Sequence, residues 1–166
     1  IAGVVMALNR VSRAVKESVS LFLEQQKQTQ LVKTVFGDYA DTINDAANAT
    51  QELTTVGNEA YQELAIQAKG LGVEMDKVNE VTRGAIGLSA QFEAVGLSQE
   101  TALKGLALAM NGDFVQLQKY IPALKTATTE SEKMALVQEA MASGFDLAQE
   151  QAKTQAGQLQ QLQNTV

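Results

Sequence analysis

The sequence predicts an all-α fold: a long first helix, then a bundle of short antiparallel helices, then a heptad-like last helix. Three observations predict it. Apolar residues recur in steps of three and four along most of the chain, the period of a helix that buries one face. Heptad spacing appears in the first and last stretches, and glycine marks the breaks between runs at Gly37, Gly70-Leu71-Gly72, Gly96 and Asn111-Gly112. The single proline, Pro122, closes an apolar run. At 166 residues the chain can build one ordinary core. With only 5% aromatics and no Trp, Ala, Leu, Val and Met must fill it. The pattern divides as a long helix over 1–36, a compact helical domain over 37–144 and a Gln/Ala-rich helix over 145–166.

The first stretch holds no glycine or proline between Gly3 and Gly37. Ile1, Leu8, Val15 and Phe22 recur every seven residues, with Val4 and Val11 between them, an a/d seam over three heptads. Leu8, Val11, Val15 and Phe22 are its candidate self-association residues. The seam turns polar at Gln25 and Thr29 and recovers at Val32 and Phe36, while Arg10, Arg13 and Lys16 fall on outward positions. A helix of this length spans about 50 Å, long for a compact domain. Two readings stand: a helix docked on its own body, or a surface for self-association.

Within 37–144, Asp38 to Val56 is rich in Asp, Asn, Thr and Ala, and Asn58 to Leu71 carries a stripe at Tyr61, Leu64, Ala68 and Leu71. The next helix has the cleanest period, at Val78, Val81, Ala85, Leu88, Phe92 and Val95. Gly84 and Gly87 inside it each cost about 1 kcal/mol against Ala, which points to close approach of a neighbouring helix. Gly72-Val73-Glu74 and Gly96-Leu97-Ser98 are similar elbows 24 residues apart. Ser98 starts a helix with apolar positions Leu103, Leu106, Ala107 and Met110. After the Asn111-Gly112 break, Phe114, Leu117 and Ile121 suggest a short helix stopped by Pro122. Thr129-Glu130-Ser131-Glu132 is a capping box opening a helix through Met134, Val137 and Met141, with Gly144 suited to its C-cap. From there Phe145, Ala148, Ala152, Leu159, Leu162 and Val166 fit heptad positions, with Gln155 on the seam. Seven of these 22 residues are Gln, so the seam is weak and rod-like.

Candidate chemistry is sparse. Cysteine and histidine are absent, which removes disulfides, thiol nucleophiles, thiolate zinc sites and imidazole acid–base work. Asp38, Asp41 and Asp45 lie at helical spacing, but the EF-hand glycine and terminal Glu are missing, so they read as a solvated face. Glu59 with Glu63, or Glu74 with Glu80, lack the aromatic-rich cleft of a glycosidase pair. Neither a GxxxxGK[ST] loop nor a GxGxxG fingerprint occurs, and Asn48-Ala49-Thr50 is a chance-level glycosylation match. The reading is therefore no enzyme, no cofactor and no metal. Net charge is −6, with five basic residues against two acidic through Lys33 and an acidic remainder of −9. That balance argues against a specific nucleic-acid site. Ile1 to Leu8 is apolar but ends at Asn9-Arg10, far short of the roughly 20 residues of a membrane span. Membrane contact is expected only through segments outside this sequence. Beginning at Ile1 and stopping at Val166 inside a helical pattern, the sequence reads as an interior section of a longer protein.

The stretch from Tyr61 to Ala142 resembles the tail tape-measure proteins of bacteriophages and prophages. The likeness rests on Leu71-Gly72-Val73, on Gly96-Leu97-Ser98, on the Ala/Leu helix that follows, and on Asn111-Gly112-Asp113-Phe114, Leu117 and Tyr120-Ile121-Pro122-Ala123-Leu124. The resemblance implies a structural ruler: several copies of a long helical chain in the tail-tube lumen, setting tube length during assembly and leaving ahead of DNA. It implies tail-tube subunits and tail assembly chaperones as partners, with self-association through helices. The expected location is the virion tail, and the host bacterial cytoplasm during assembly. Elbows and heptads together suggest a section that is compact alone and straightens in a tail. A generic helical-bundle or coiled-coil interaction domain explains the periodicity equally well but not the Asn-Gly…Ile-Pro run. A membrane-active helical protein has only Ile1 to Leu8 in its favour.

Overall fold

The computed structural model describes residues 2–165, with side chains described from 12 onward, 155 excepted. The described residues are helix and turn, with no strand among them. Helix α1 runs over Ala2–Phe36. Among its residues with described side chains, only the last turns enter the core, through Val32 (0% exposed) and Phe36 (2%). Gly37, with φ +54°, and the 3-10 turn Gly37–Tyr39 lead directly into α2, Ala40–Leu53. Helix α2 presents Ala40, Ile43, Ala47 and Thr50 to the core, one face at steps of three and four. The Thr54 hydroxyl closes its end by donating to the Thr50 carbonyl at 2.8 Å and accepting from the Val56 N–H at 3.1 Å.

Helix α3, Asn58–Gly70, buries Tyr61, Leu64, Ala65 and Ala68. Leu71, expected as the last member of that stripe, is exposed because the helix stops at Gly70 and the chain reverses. The two predicted elbows share one geometry. Gly72 has φ +89° and Gly96 +85°, a left-handed conformation that glycine adopts without a Cβ clash. In the first, the Val73 and Gly72 N–H groups donate to the Ala68 and Lys69 carbonyls; in the second, Leu97 and Gly96 donate to Phe92 and Glu93. These are paired Schellman bonds that satisfy helix-end carbonyls, and Val73 and Leu97 are both buried just beyond the glycine. Gly112 repeats the same pair of bonds from Asp113 and Gly112 to Leu108 and Ala109.

Between the elbows, the 3-10 turn Met75–Lys77 leads into α4, Val78–Gln91, the centre of the bundle. Val78, Val81, Ala85 and Leu88 are buried as the period predicts, and Ile86, Thr82, Gly84 and Gly87 are buried on its other sides. Val95 departs from expectation. The helix ends at Gln91, a 3-10 turn covers Glu93–Val95, and Val95 is 68% exposed.

Helix α5, Gln99–Met110, is capped by the Ser98 hydroxyl, which accepts from the Thr101 N–H at 3.1 Å. It buries Leu103, Leu106 and Ala107, whereas Met110 stays exposed. The short helix expected over Phe114 to Ile121 is instead a single 3-10 turn, Leu117–Lys119, and a second, Pro122–Lys125, follows it. Pro122 opens the second turn rather than ending a helix. Its fixed φ and missing N–H suit a first position, and Ile121 before it is held out of the helical region (φ −119°, ψ 83°). Phe114, Leu117, Ile121 and Leu124 all point into the core regardless.

Helix α6, Glu130–Ala152, starts with Thr129 accepting from the Glu132 N–H at 3.1 Å. The reciprocal half of the expected box is displaced by one residue: the Glu132 carboxylate accepts from Thr128 N–H at 3.2 Å. Gly144 is no cap. The helix runs through it without a break, so the expected division at 144/145 falls inside α6. Gly144 lies against Gly87 of α4, where an added Cβ would fall on the Gly87 backbone. Reciprocally, a Cβ on Gly87 would sit 2.6 Å from the Met141 carbonyl oxygen and 2.7 Å from the Phe145 nitrogen. The glycines of α4 thus serve close packing, since two helices can touch backbone to backbone only without side chains between them.

The single helix expected over 145–166 is broken as well. Helix α6 ends at Ala152, and a separate helix α7 covers Gln155–Thr165. Thr154 makes the corner: its hydroxyl donates to the Gln151 carbonyl at 2.7 Å and accepts from the Gly157 N–H at 3.1 Å. A Ser/Thr cap of this kind starts a helix in a new direction.

Candidate functional site

The residues that carry the family resemblance hold the bundle together. Gly72, Gly96 and Gly112 make the elbows and Ser98 caps α5, as described above. Asn111 is the C-cap residue of α5 and donates from its side chain to the Ala107 carbonyl at 3.3 Å. Phe114, Leu117 and Ile121 are buried, and Leu117 seats on Gly105, with Cδ2 2.8 Å from where a Cβ would stand. Tyr120 tilts against Phe92 with ring centroids 5.7 Å apart, and Pro122 opens its turn. These residues form a packing motif around α5.

The α1 seam separates into two parts. Val32 and Phe36 belong to the body's core. Val15 (56% exposed) and Phe22 (58%) are uncovered, and Leu8 and Val11 lie outside the residues whose side chains are described. Val19 and Leu23, which heptad counting missed, share the open side; their signal was the i+4 step from Val15 and Val19. On a regular helix Phe22 lies only about 40° around the axis from Phe36 but about 20 Å along it, so the stripe stands beyond the turns that the body buries.

Titratable groups are dispersed. Asp38, Asp41 and Asp45 are exposed, as are Glu59, Glu63 and Glu74, with Glu80 half-buried. Among the described residues, no group of three or more His, Cys, Asp or Glu could hold a metal ion. None of the described helices is long and apolar enough to cross a membrane. Among the described residues, the one strongly perturbed group is Tyr61. Burial pushes its phenol well above the ordinary value, against the lowering effect of the Arg83 charge. It stays a neutral donor, giving its proton to Asn79 Oδ1 at 2.7 Å, while Asn79 Nδ2 donates to the Thr42 carbonyl at 3.4 Å. That chain ties α3, α4 and α2 together in the core, away from any opening.

A second polar assembly lies where α7 folds back. Gln161 Nε2 donates to the carbonyls of Glu52 (2.9 Å) and Thr54 (3.0 Å), and Asn164 Nδ2 donates to that of Thr55 (3.1 Å). Helix ends leave carbonyls without intrahelical partners, and α7 supplies amides to those at the end of α2. Reading the glutamines as rod material missed this role. The available signal was Thr154 followed three residues later by Gly157, a helix start inside the run. An open groove beside the contact is lined by Gln25, Gln51, Asn58, Gln160, Gln163 and Asn164, suited to hydrogen bonding rather than bond cleavage. Comparison with family models, curated proteins and solved structures matches nothing to this chain.

Proposed function

We propose that this chain is a structural section of a phage tail tape-measure protein, acting by occupying length in the tail tube and by touching tube subunits, assembly chaperones and other copies of itself. One observation carries the reading: the Ala/Leu helix α5 followed by Asn111-Gly112-Asp113-Phe114 and Tyr120-Ile121-Pro122, the run that resembles that family. Two physical features support it. Helix rises about 1.5 Å per residue, so chain length converts into distance, about 250 Å for 166 residues if fully extended as helix. The open stripe of Val15, Val19 and Phe22 gives copies a helical surface to share. On this reading the chain converts no substrate.

In-frame removal of residues 37–144 from the parent protein, followed by electron microscopy of tails, tests it. Tails should shorten by up to about 160 Å, the helical length of the deleted segment. Normal tails of unchanged length would remove the measuring role from this section. The same open stripe favours a second reading, a helical interaction domain outside any virion. A parent gene of many hundreds of codons beside tail-tube genes selects the ruler over it.

A further inference from the structure

Helix α7 is docked inside out. An amphipathic helix ordinarily turns its apolar face to the body and its polar face to water. Here, among the described side chains, the residues with reduced exposure are Gly157, Gln161 and Asn164, spaced i, i+4 and i+7, while Leu159 (57% exposed) and Leu162 (61%) face outward. The hold on the body is three amide–carbonyl bonds at the α2 end, with Gly157 packed on the last turn of α6 at Ala152. Water can replace such bonds at small net cost.

The corner is equally light. Lys153, the C-cap residue just past α6, already has helical dihedrals (φ −78°, ψ −12°), and neither glycine nor proline occupies 153 or 154. Only the Thr154 cap turns the chain. If the corner closed, 130–165 would form one helix of about 54 Å. On that helix Phe145, Ala148, Ala152, Leu159 and Leu162 fall on a single stripe. Gly157, Gln161 and Asn164 fall about half a turn away. The apolar residues thus follow the straight helix, and the amides follow the folded one.

We infer that α7 is a releasable latch: it holds on the end of α2 through Gln161 and Asn164, and on release continues α6 as a single helix that carries Leu159 and Leu162 in register with Phe145, Ala148 and Ala152. This deepens the length-setting reading by giving one place where the section changes length. Its geometry does not require a tail, so failure here leaves the tail-length test standing.

Gly157 supplies the test. A Cβ there would stand 2.7 Å from the Ala152 Cα, inside the corner, a clash that a straight helix, with residues 152 and 157 more than a turn apart, does not have. Gly157→Ala therefore opposes the folded form and favours the straight one. The chain has no cysteine, so spin labels go cleanly on Leu53→Cys in α2 and Leu162→Cys in α7, both exposed. Pulsed electron–electron resonance on the otherwise native chain should give a short distance as the main population. Gly157→Ala should convert it to a long one, cutting the short fraction at least fivefold, with helical circular dichroism undiminished and the body's melting temperature unchanged. Gln161→Ala with Asn164→Ala should shift the same populations in the same direction. A Gly57→Cys/Asn164→Cys disulfide, made in a separate variant whose labels at 53 and 162 are carried by unnatural amino acids, should hold the short form even with Gly157→Ala; the Gly57 Cβ position lies 3.3 Å from Asn164 Cγ. An unchanged short distance in Gly157→Ala overturns the inference. So does release with loss of helical signal, because α7 would then leave as coil, or a fall in body melting temperature, because α7 would then belong to the core.

Discussion

Helices α6 and α7 are neighbours in sequence, yet they meet the body in opposite ways. Helix α6 presses backbone against α4 at Gly144 and Gly87 and buries Val137 and Ala148. Helix α7 touches through side-chain amides and leaves its leucines in water. The difference sets an order of opening. Regions with many buried apolar contacts open only with the whole fold, and regions held by solvent-accessible hydrogen bonds open locally. The α4–α6 crossing belongs to the first kind and the α7 dock to the second.

The largest effect should come from breaking the crossing. In Gly144→Ala the new methyl falls on the Gly87 backbone, which cannot rotate aside as a side chain would. Overpacking of this sort costs about 3 kcal/mol, or roughly 6–12 °C in melting temperature for a domain of this size. Thermal melts followed by circular dichroism measure it. A wild-type melting temperature would mean that the two helices are not in backbone contact.

Next comes Tyr61→Phe, which leaves the Asn79 amide without its donor in the core and should cost about 1–2 kcal/mol in urea unfolding. The same tyrosine gives a pH signature. Its folded pKa is raised by burial above the ordinary value of 10, so above pH 10 the unfolded chain loses this proton before the folded one does. The stability is intact below pH 10 and falls as pH rises beyond it, by at most about 1.4 kcal/mol per pH unit from this group. The phenylalanine variant should lack that share of the alkaline slope.

Removing the latch amides, Gln161→Ala with Asn164→Ala, should cost less than about 1 kcal/mol in global unfolding, since partly exposed hydrogen bonds contribute little net stability. Hydrogen exchange should nevertheless speed up across 155–165 while 78–91 keeps its protection. Equal acceleration in both segments would erase the contrast between the two docks.

What the sequence made legible follows the same division. The core face of α4, the elbows at Gly72, Gly96 and Gly112, and the Ser98 and Thr129 caps were readable because period, glycine and cap residues act locally. Gly144 was misread because a glycine that permits helix contact looks the same in sequence as one that ends a helix; its partner Gly87 is 57 residues away. Phe114, Leu117 and Ile121 read as a short helix rather than as 3-10 turns, because steps of three and four suit both helix types. The α7 dock was unreadable for a stronger reason. Its heptad pattern describes the straight helix, and the bonds that fold it back run from side chains to backbone carbonyls more than a hundred residues distant, which no periodicity records.

The smallest effect on the fold should come from α1. Val15 and Phe22 are largely exposed, so Val15→Ser with Phe22→Ser should leave the unfolding free energy of a dilute sample unchanged within about 0.5 kcal/mol. Their effect should appear only with concentration. If copies share this stripe, sedimentation velocity of the native chain shows species larger than a monomer as concentration rises, and the double variant sediments as a monomer throughout. The polar break at Gln25 and Thr29 insulates the two ends of α1 from each other, so association there need not disturb Val32 and Phe36 in the core. A native chain that stays monomeric at every concentration would leave α1 as a spacer rather than a shared surface. A melting temperature lowered by the double substitution would instead mean that the first half of α1 is part of the body after all.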